Sequence, residues 1–431
     1  MNKIAMELNN IIEKDNSFIY DMLTEIGKNL FFPRGILFQG AEAKKKAKKL
    51  NATIGIAMEN NNPMHLKEAY RYFNNLVPNE LFNYAPASGK EKLRHLWFKK
   101  MLIDNPTLKG KKVSLPVVTN AITHGLSISA DLFVDQGDAV LIPDKFWGNY
   151  KLIFGVRRAA NIIHYPLFKG NNFNIEELEK SIKSKVKSDK VVIILNFPNN
   201  PSGYSITEEE GKEIVSIIDS LANKGKKIII INDDAYFGLF YEPEILKESL
   251  FSYFANLNER VLAIKLDGVT KEEFLWGFRT GFITLGSKKL SKKAYNALEE
   301  KIMGIIRGTI SNCSMPSQSI IEKMISSNDY RKEQKEKFQI LQDRYNEVKR
   351  VLKNPKYQEV WDTYPFNSGY FMCLKLKNIN AEELRMRLLN KYGVGIIATS
   401  NEEIRIAFSC LNKDSIHKTF EIIYKCVKEM R

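Results

Sequence analysis

The chain has 431 residues, more than one hydrophobic core usually organises, so two closely packed domains are expected. Its 44% hydrophobic and 27% charged residues suit a globular protein, no run of 18 apolar residues offers a membrane span, and the opening MNKIAMELNN lacks the apolar stretch of a signal peptide, all of which points to the cytoplasm. The +15 net charge has one dense run, Lys44–Lys49, without interleaved aromatics, so it reads as surface drift with neither nucleic acid nor membrane as partner, and Cys313, Cys373, Cys410 and Cys426 form no CxxC pair that would suggest zinc or a disulfide framework.

The first 50 or so residues read as helical and are expected to pack on a smaller domain. From about 113 to 285, short β-rich runs alternate with amphipathic helices. Val113–Thr119 reads as a strand and His124 to Val134 as a helix; Ala139–Pro143 is a short apolar strand. Lys190–Leu195 (KVVIIL) is a continuous apolar run, as in a strand buried on both faces. Thr207, with Glu210 three residues on, forms a capping box that opens a helix to about Asn223, where Gly225 stops it. Lys227–Ile231, Val261–Leu266 and Phe282–Leu285 complete the strands. This alternation predicts an α/β fold: a mostly parallel sheet flanked by helices. After Ser287 the texture changes to charged helices at about 287–308, 315–326 and 330–354. Strands at Ser368–Leu376 and Glu403–Phe408, a helix from Ala381 and a final helix make a smaller α+β domain. The expected division is 1–54 as an arm and part of the small domain, 55–315 as the large domain and 316–431 as the small one.

In open α/β sheets, ligands sit beyond the carboxyl ends of the strands. The residues there form an ordered set. Asn196-Phe-Pro-Asn-Asn-Pro-Ser-Gly203 is a rigid irregular loop that can hold the Asn200 amide in a crevice, or is a plain turn. Asn232-Asp-Asp-Ala-Tyr236 puts a carboxylate beside a tyrosine, as a base, a partner for a protonated ring nitrogen, or a helix cap. Asp267-Gly-Val-Thr-Lys271 and Gly277-Phe-Arg279 supply a lysine that burial would make nucleophilic and an arginine suited to phosphate. Each is weak alone; the order after successive strands is specific.

These elements resemble those of the class I/II aminotransferases, fold-type I pyridoxal-phosphate enzymes of the aspartate and aromatic aminotransferase kind, from about Ile54 to the C-terminus. Asn200-Pro-Ser-Gly203 matches the family's N-P-[ST]-G loop, Asp233-Asp-Ala-Tyr236 its D-x-A-Y element, and Lys271 through Gly277 to Arg279 its K-x5-G-x-R element. The resemblance implies the cofactor pyridoxal 5'-phosphate, a Schiff base on Lys271, Asp233 on the pyridine nitrogen, and Asn200 and Tyr236 on the ring oxygen. It implies Trp147 as the stacking aromatic, with Phe146 as the competing candidate. It puts the phosphate at Ala121, Ile122 and Thr123 with Thr270 and Arg279, the amides of a helix start being suited to anions. Two positions depart: Ala121 stands where a glycine is usual, and Gly268 where many members have serine. Tyr84, in Tyr-Ala-Pro-Ala-Ser-Gly89, matches a tyrosine that reaches the phosphate of the neighbouring subunit, which implies a homodimer with shared active sites.

The same matching makes Arg405 the reader of the substrate α-carboxylate. It makes Arg307, in Arg307-x-x-x-Ser311-Asn312, a reader of a side-chain carboxylate across the dimer interface. The implied reaction moves an amino group between an L-amino acid (aspartate, glutamate or an aromatic one) and a 2-oxo acid, with Lys271, Asp233 and Tyr236 as the catalytic set. A β-lyase or decarboxylase on the same scaffold is the alternative, because cofactor-holding motifs do not choose which Cα bond breaks. A non-catalytic basic binding protein would leave the polar set unexplained.

Overall fold

The computed structural model describes residues 1–33, 35–60 and 62–431. Seven strands form its central sheet: β1 Val117–Thr119, β2 Ala139–Pro143, β3 Asn161–Tyr165, β4 Lys190–Leu195, β5 Lys227–Asp233, β6 Val261–Gly268 and β7 Gly281–Gly286. Their spatial order is β1-β7-β6-β5-β4-β2-β3. Strands β2 to β6 are mutually parallel, and β7 runs antiparallel to both β6 and β1. The fold is thus α/β with a mostly parallel sheet, and its best hydrophobic runs are the central strands. Successive residues of a strand point to opposite faces. Accordingly Val192, Ile194, Ile229 and Ile231 enter one core, while Val191, Ile193, Ile228 and Ile230 enter the other.

A second, antiparallel sheet joins β8 Trp361–Thr363, β9 Phe371–Leu376, β10 Ile397–Ala398 and β11 Glu403–Ala407 in the order β8-β9-β11-β10. Helices Lys292–Thr309, Met315–Ile325 and Tyr330–Leu352 lie between the two sheets in the chain, and Lys413–Met430 closes it. The N-terminal segment docks on this second unit. Leu50–Asn51 pairs in parallel with Val394–Gly395, and Gln39 exchanges hydrogen bonds with the backbone of Ala398 at 3.1 and 2.9 Å. Among the described residues no helix is long and apolar enough to cross a membrane, and no group of His, Cys, Asp and Glu is placed to hold a metal.

The structure moves several expected boundaries, each for a local reason. Strand β1 begins at Val117, not Val113, because Pro116 has no N–H for a ladder; Val113 makes a lone bridge to Gly286. The following helix starts at Ala121, three residues before the expected His124. Strand β9 begins at Phe371, not Ser368, because the Asn367 and Ser368 amides both donate to Gly203 O and are unavailable to the sheet. Edge strand β3 was not expected; its alternating exposure leaves little apolar signal. The capping box of Thr207 and Glu210 forms with both reciprocal bonds, and its helix ends at Asn223.

Candidate active site

Parallel register brings the ends of β4, β5 and β6 side by side: Leu195 lies opposite Asn232, and Asp233 opposite Leu266. Beyond them lies a cavity of about 290 Å³. It collects Ala121, Ile122, Thr123, Trp147, Asn200, Asp233, Tyr236, Thr270, Lys271, Arg279 and Arg405, which are far apart in sequence. Tyr84 and Arg307 lie outside it. Tyr84 is 89% exposed, and the exposed Arg307 donates to Ser311 Oγ at 2.6 Å. Phe146 packs against His164, with 5.0 Å between ring centres, and does not reach the cavity.

One end of the cavity is built for an anion. The helix Ala121–Phe133 starts there, and the first amides of a helix have no partner within it. Arg279 stands beside it with no carboxylate partner; its one hydrogen bond goes to Trp276 O at 3.3 Å. Both Ala121 (φ +62°) and Arg279 (φ +52°) hold the left-handed conformation that side chains disfavour, so backbone strain concentrates at this cradle. Gly268 follows from packing: a Cβ there would lie 2.7 Å from Gly281 Cα and 2.8 Å from Thr280 O. Serine at that position would strike the β7 backbone, and Thr270 is the hydroxyl that lines the cavity instead.

The middle holds a lysine and a carboxylate. Lys271 sits on the short helix Val269–Glu272 that caps β6. Its Nζ lies 5.1 Å from the Tyr236 ring centre and has no carboxylate in ion-pair contact. Burial pulls its pKa down to about 8, against the upward pull of Asp233. Asp233 is pushed above the usual carboxylate range by burial, opposed by its bond from Tyr150 and by Lys271. The Tyr150 hydroxyl donates to Asp233 Oδ2 at 2.5 Å, and Asn196 Nδ2 donates to Asp233 O at 2.8 Å. Tyr236 is also buried, which raises its phenol.

The far end holds Arg405, 2% exposed on β11. It donates to Asn200 Oδ1 at 3.0 Å and Thr53 O at 2.9 Å, and its guanidinium carbon stands 4.1 Å from the Phe371 ring centre. No acid pairs with it, and its Nε is buried without a partner. The Asn200 loop is fixed by Gly203, whose φ of +76° and 1.9 Å approach of a would-be Cβ to Phe371 O leave room only for glycine.

Sequence reasoning passed over several lining residues. Tyr150 carried no motif, although it follows Trp147 by one turn. Asn196 sits in the quoted loop but was overshadowed by Asn200. Ile36, Gly55 and Ile56 come from the N-terminal segment and Trp276 from the turn after Lys271.

A family model described as aminotransferase class I and II matches residues 33–423. A probable aspartate/prephenate aminotransferase of Rickettsia felis is 28% identical over 268 residues, covering 60% of this chain; the chain spans 58% of that protein's length. An aspartate aminotransferase of Sulfurisphaera tokodaii is 23% identical over 325 residues, 73% of each chain. An aminotransferase structure from Anaerococcus prevotii has a TM-score of 0.84 at 21% identity, covering 95% of this chain and all of that one. The structure of a Pyrococcus horikoshii kynurenine aminotransferase with PMP has a TM-score of 0.79 at 16% identity, covering 96% of this chain and 98% of that one.

Proposed function

Because the chain belongs to the class I and II aminotransferases, we propose that it uses pyridoxal 5'-phosphate to move an amino group between an L-amino acid and a 2-oxo acid. The observation that carries this reading is a pair of buried cations without acids. Arg405 and Lys271 both line the cavity, and neither has a carboxylate partner. A buried charge is ordinarily paired. Two groups awaiting partners suit a carboxylate-bearing substrate and a carbonyl-bearing cofactor.

The residues fit that cofactor. The helix start at Ala121–Thr123, Arg279 and Thr270 would hold its phosphate, Trp147 would cover the ring face, and Asp233 would face the ring nitrogen. When bound, the cofactor supplies an electron-withdrawing ring that accepts charge from the substrate's Cα. Asp233 would contribute negative charge at the ring nitrogen, and Tyr150 keeps the carboxylate oriented. Asn200 does two things at once: its Oδ1 accepts from Arg405, leaving its amide hydrogens for the cofactor. Arg405 binds the α-carboxylate and so fixes the Cα near Lys271. Lys271 would hold the cofactor, and its Nζ would take and return the Cα proton; a lowered pKa leaves it able to do both near neutrality.

We further assign Tyr84 and Arg307 to the cavity of a second copy. Tyr84 follows exposed apolar side chains in the chain, Phe73, Val77 and Phe82, that a homodimer would cover. Arg307 would then select aspartate or glutamate over an aromatic donor. The division into an arm with part of the small domain (1–54), a large domain (55–315) and a small domain (316–431) would put the cavity at their junction.

The test is a panel of amino donors with 2-oxoglutarate, run on cofactor-loaded protein. Glutamate formation with the matching 2-oxo acid supports the reading. Ammonia release without glutamate would instead indicate a lyase, and protein that takes up no cofactor would overturn the assignment. Arg307→Ala should lower aspartate turnover more than tyrosine turnover; equal loss removes Arg307 from substrate selection.

A further inference from the structure

Neighbouring residues of the site line different cavities. Tyr236 and Lys271 face the cavity described above, and the next residues, Phe237 and Glu272, face a second one of about 350 Å³. The two cavities share no lining residue. The partition between them is the turn Val269–Phe274, whose Phe274 holds a left-handed φ of +57° and is 2% exposed.

The second cavity has distinct inner and outer parts. Its walls are aromatic: Phe237, Phe240, Phe274 and Phe338. Its rim carries Lys247, Arg331 and Lys335. Arg331 is bound to Asp104 at 3.0 Å, while Lys335 has no partner among the described residues and Lys247 reaches the Glu242 carbonyl and the Phe240 ring, with Glu244 and Glu242 nearby. Neither lysine has a carboxylate in ion-pair contact among the described residues. On the floor, Glu272 is 6% exposed; one of its oxygens pairs with buried Lys100, and the other, Oε2, has no partner. Buried polar atoms are ordinarily bonded, so this oxygen awaits one more group.

We propose that this second cavity binds a small amphipathic anion, a monocarboxylate with an aromatic body, with the ring among the phenylalanines and the carboxylate at Lys247 and Lys335. Aromatic walls supply area burial and ring-to-ring contact. The rim cations supply the sign of the charge, and Arg331 adds planar donors. The ligand would rest on the back of the turn that carries Lys271. This site is independent of the reaction assigned to the first cavity.

The experiment is calorimetric titration of the full-length, cofactor-loaded protein with 4-phenylbutyrate, which has no amino or oxo group to react. One saturable site is expected. Affinity should fall at least tenfold in a Lys247→Ser/Lys335→Ser variant and in Phe338→Ala, persist in Arg405→Ala, and be at least tenfold weaker for 4-phenylbutanol. Circular dichroism checks that each variant is folded. Absence of binding, binding lost in Arg405→Ala, or binding indifferent to the rim variant or to loss of the carboxylate would each overturn the proposal.

Discussion

Lysines packed at the carboxyl end of the central sheet fall into two kinds. Lys100 touches Glu272 and lies 2.8 Å from Asp104 and 3.6 Å from Glu273; Lys265 touches Asp234 and lies 3.3 Å from Asp267. In both, burial favours the neutral amine, the carboxylates outweigh it, and the pKa ends above the ordinary value. Lys271, next in the chain to Glu272 of that network, has no such partner among the described residues and is pulled down to about 8. Desolvation is common to all three. The acids decide whether a buried lysine is a fixed charge or a reactive amine. The network also holds more acids than bases. Burial pushes Glu272 up, as do its acidic neighbours, against the pull of Lys100.

The largest effect expected from breaking this contrast is on catalysis. Lys271→Ala should lower kcat/KM roughly a thousandfold or more, since in the proposed reaction the amine both holds the cofactor and moves the proton. Stability should respond oppositely. The folded pKa of about 8 lies below the 10.5 of a free lysine, so the folded state binds fewer protons than the unfolded chain in that window, and stability rises with pH from about 8 to 10.5. The slope approaches about 1.4 kcal/mol per pH unit. Below pH 8 the cost of the charged amine is fully present. Lys271→Met should remove the slope in urea titrations from pH 7.5 to 10.5; an unchanged slope would mean that the amine is not desolvated.

The converse break is Lys100→Met. It leaves Glu272, Glu273 and Asp104 crowded together without their cation and should cost about 3–5 kcal/mol, as removal of one partner from a buried pair does. Chemical denaturation measures it. A cost below about 1 kcal/mol, the range of exposed pairs, would place the cluster in water. Adding Glu272→Gln and Glu273→Gln should recover much of the loss.

Tyr150→Phe acts more weakly, on the acid rather than the amine. Asp233 would keep the Ala235 amide at 3.2 Å but lose its 2.5 Å hydroxyl donor. A hydrogen bond to a charged group contributes about 1.5–3 kcal/mol. The expected result is a roughly tenfold fall in kcat/KM, about 1.4 kcal/mol, with the acid limb of the pH–rate profile moved upward. A profile that keeps its shape would show that Tyr150 only fills space.

How far these regions were legible follows from the same contrast. The reactive side of the sheet announces itself because its groups stand at strand ends within rigid loops: Asn200, Asp233, Lys271 and Arg279 could each be placed from local pattern, and the capping box at Thr207 located its helix. The buried network could not. Lys100 stands on the buried face of its helix beside Trp97 and Met101, where its charge blurs the amphipathic pattern, and Lys265 interrupts an apolar strand; only folding shows that their partners come from Asp104, Glu272 and Asp234. Tyr150 was hidden for another reason. Its partner Asp233 is 83 residues away, and the π-helical turn it opens, Lys151–Val156, has no simple sequence signal. The N-terminal contribution of Gly55 and Ile56 depends on the pairing of Leu50–Asn51 with Val394–Gly395, more than 300 residues away.

The two departures from the family pattern give the smallest and sharpest test, because they look alike in sequence and differ in space. Gly268 has extended backbone, so any residue could adopt its conformation, but the neighbouring strand leaves no room for a Cβ. Ala121 has room for its methyl but holds φ at +62°. Gly268→Ser should therefore destabilise by about 1–3 kcal/mol, the cost of forcing atoms into a packed site. Ala121→Gly relieves left-handed strain of about 1–2 kcal/mol and gives back part of it as glycine's unfolded-state entropy, leaving a gain of about 0.5–1 kcal/mol. Thermal denaturation of the two variants should thus move in opposite directions. If both lowered the midpoint, the strain at Ala121 would not be stored in its backbone, and the cradle would owe its shape to the methyl group itself.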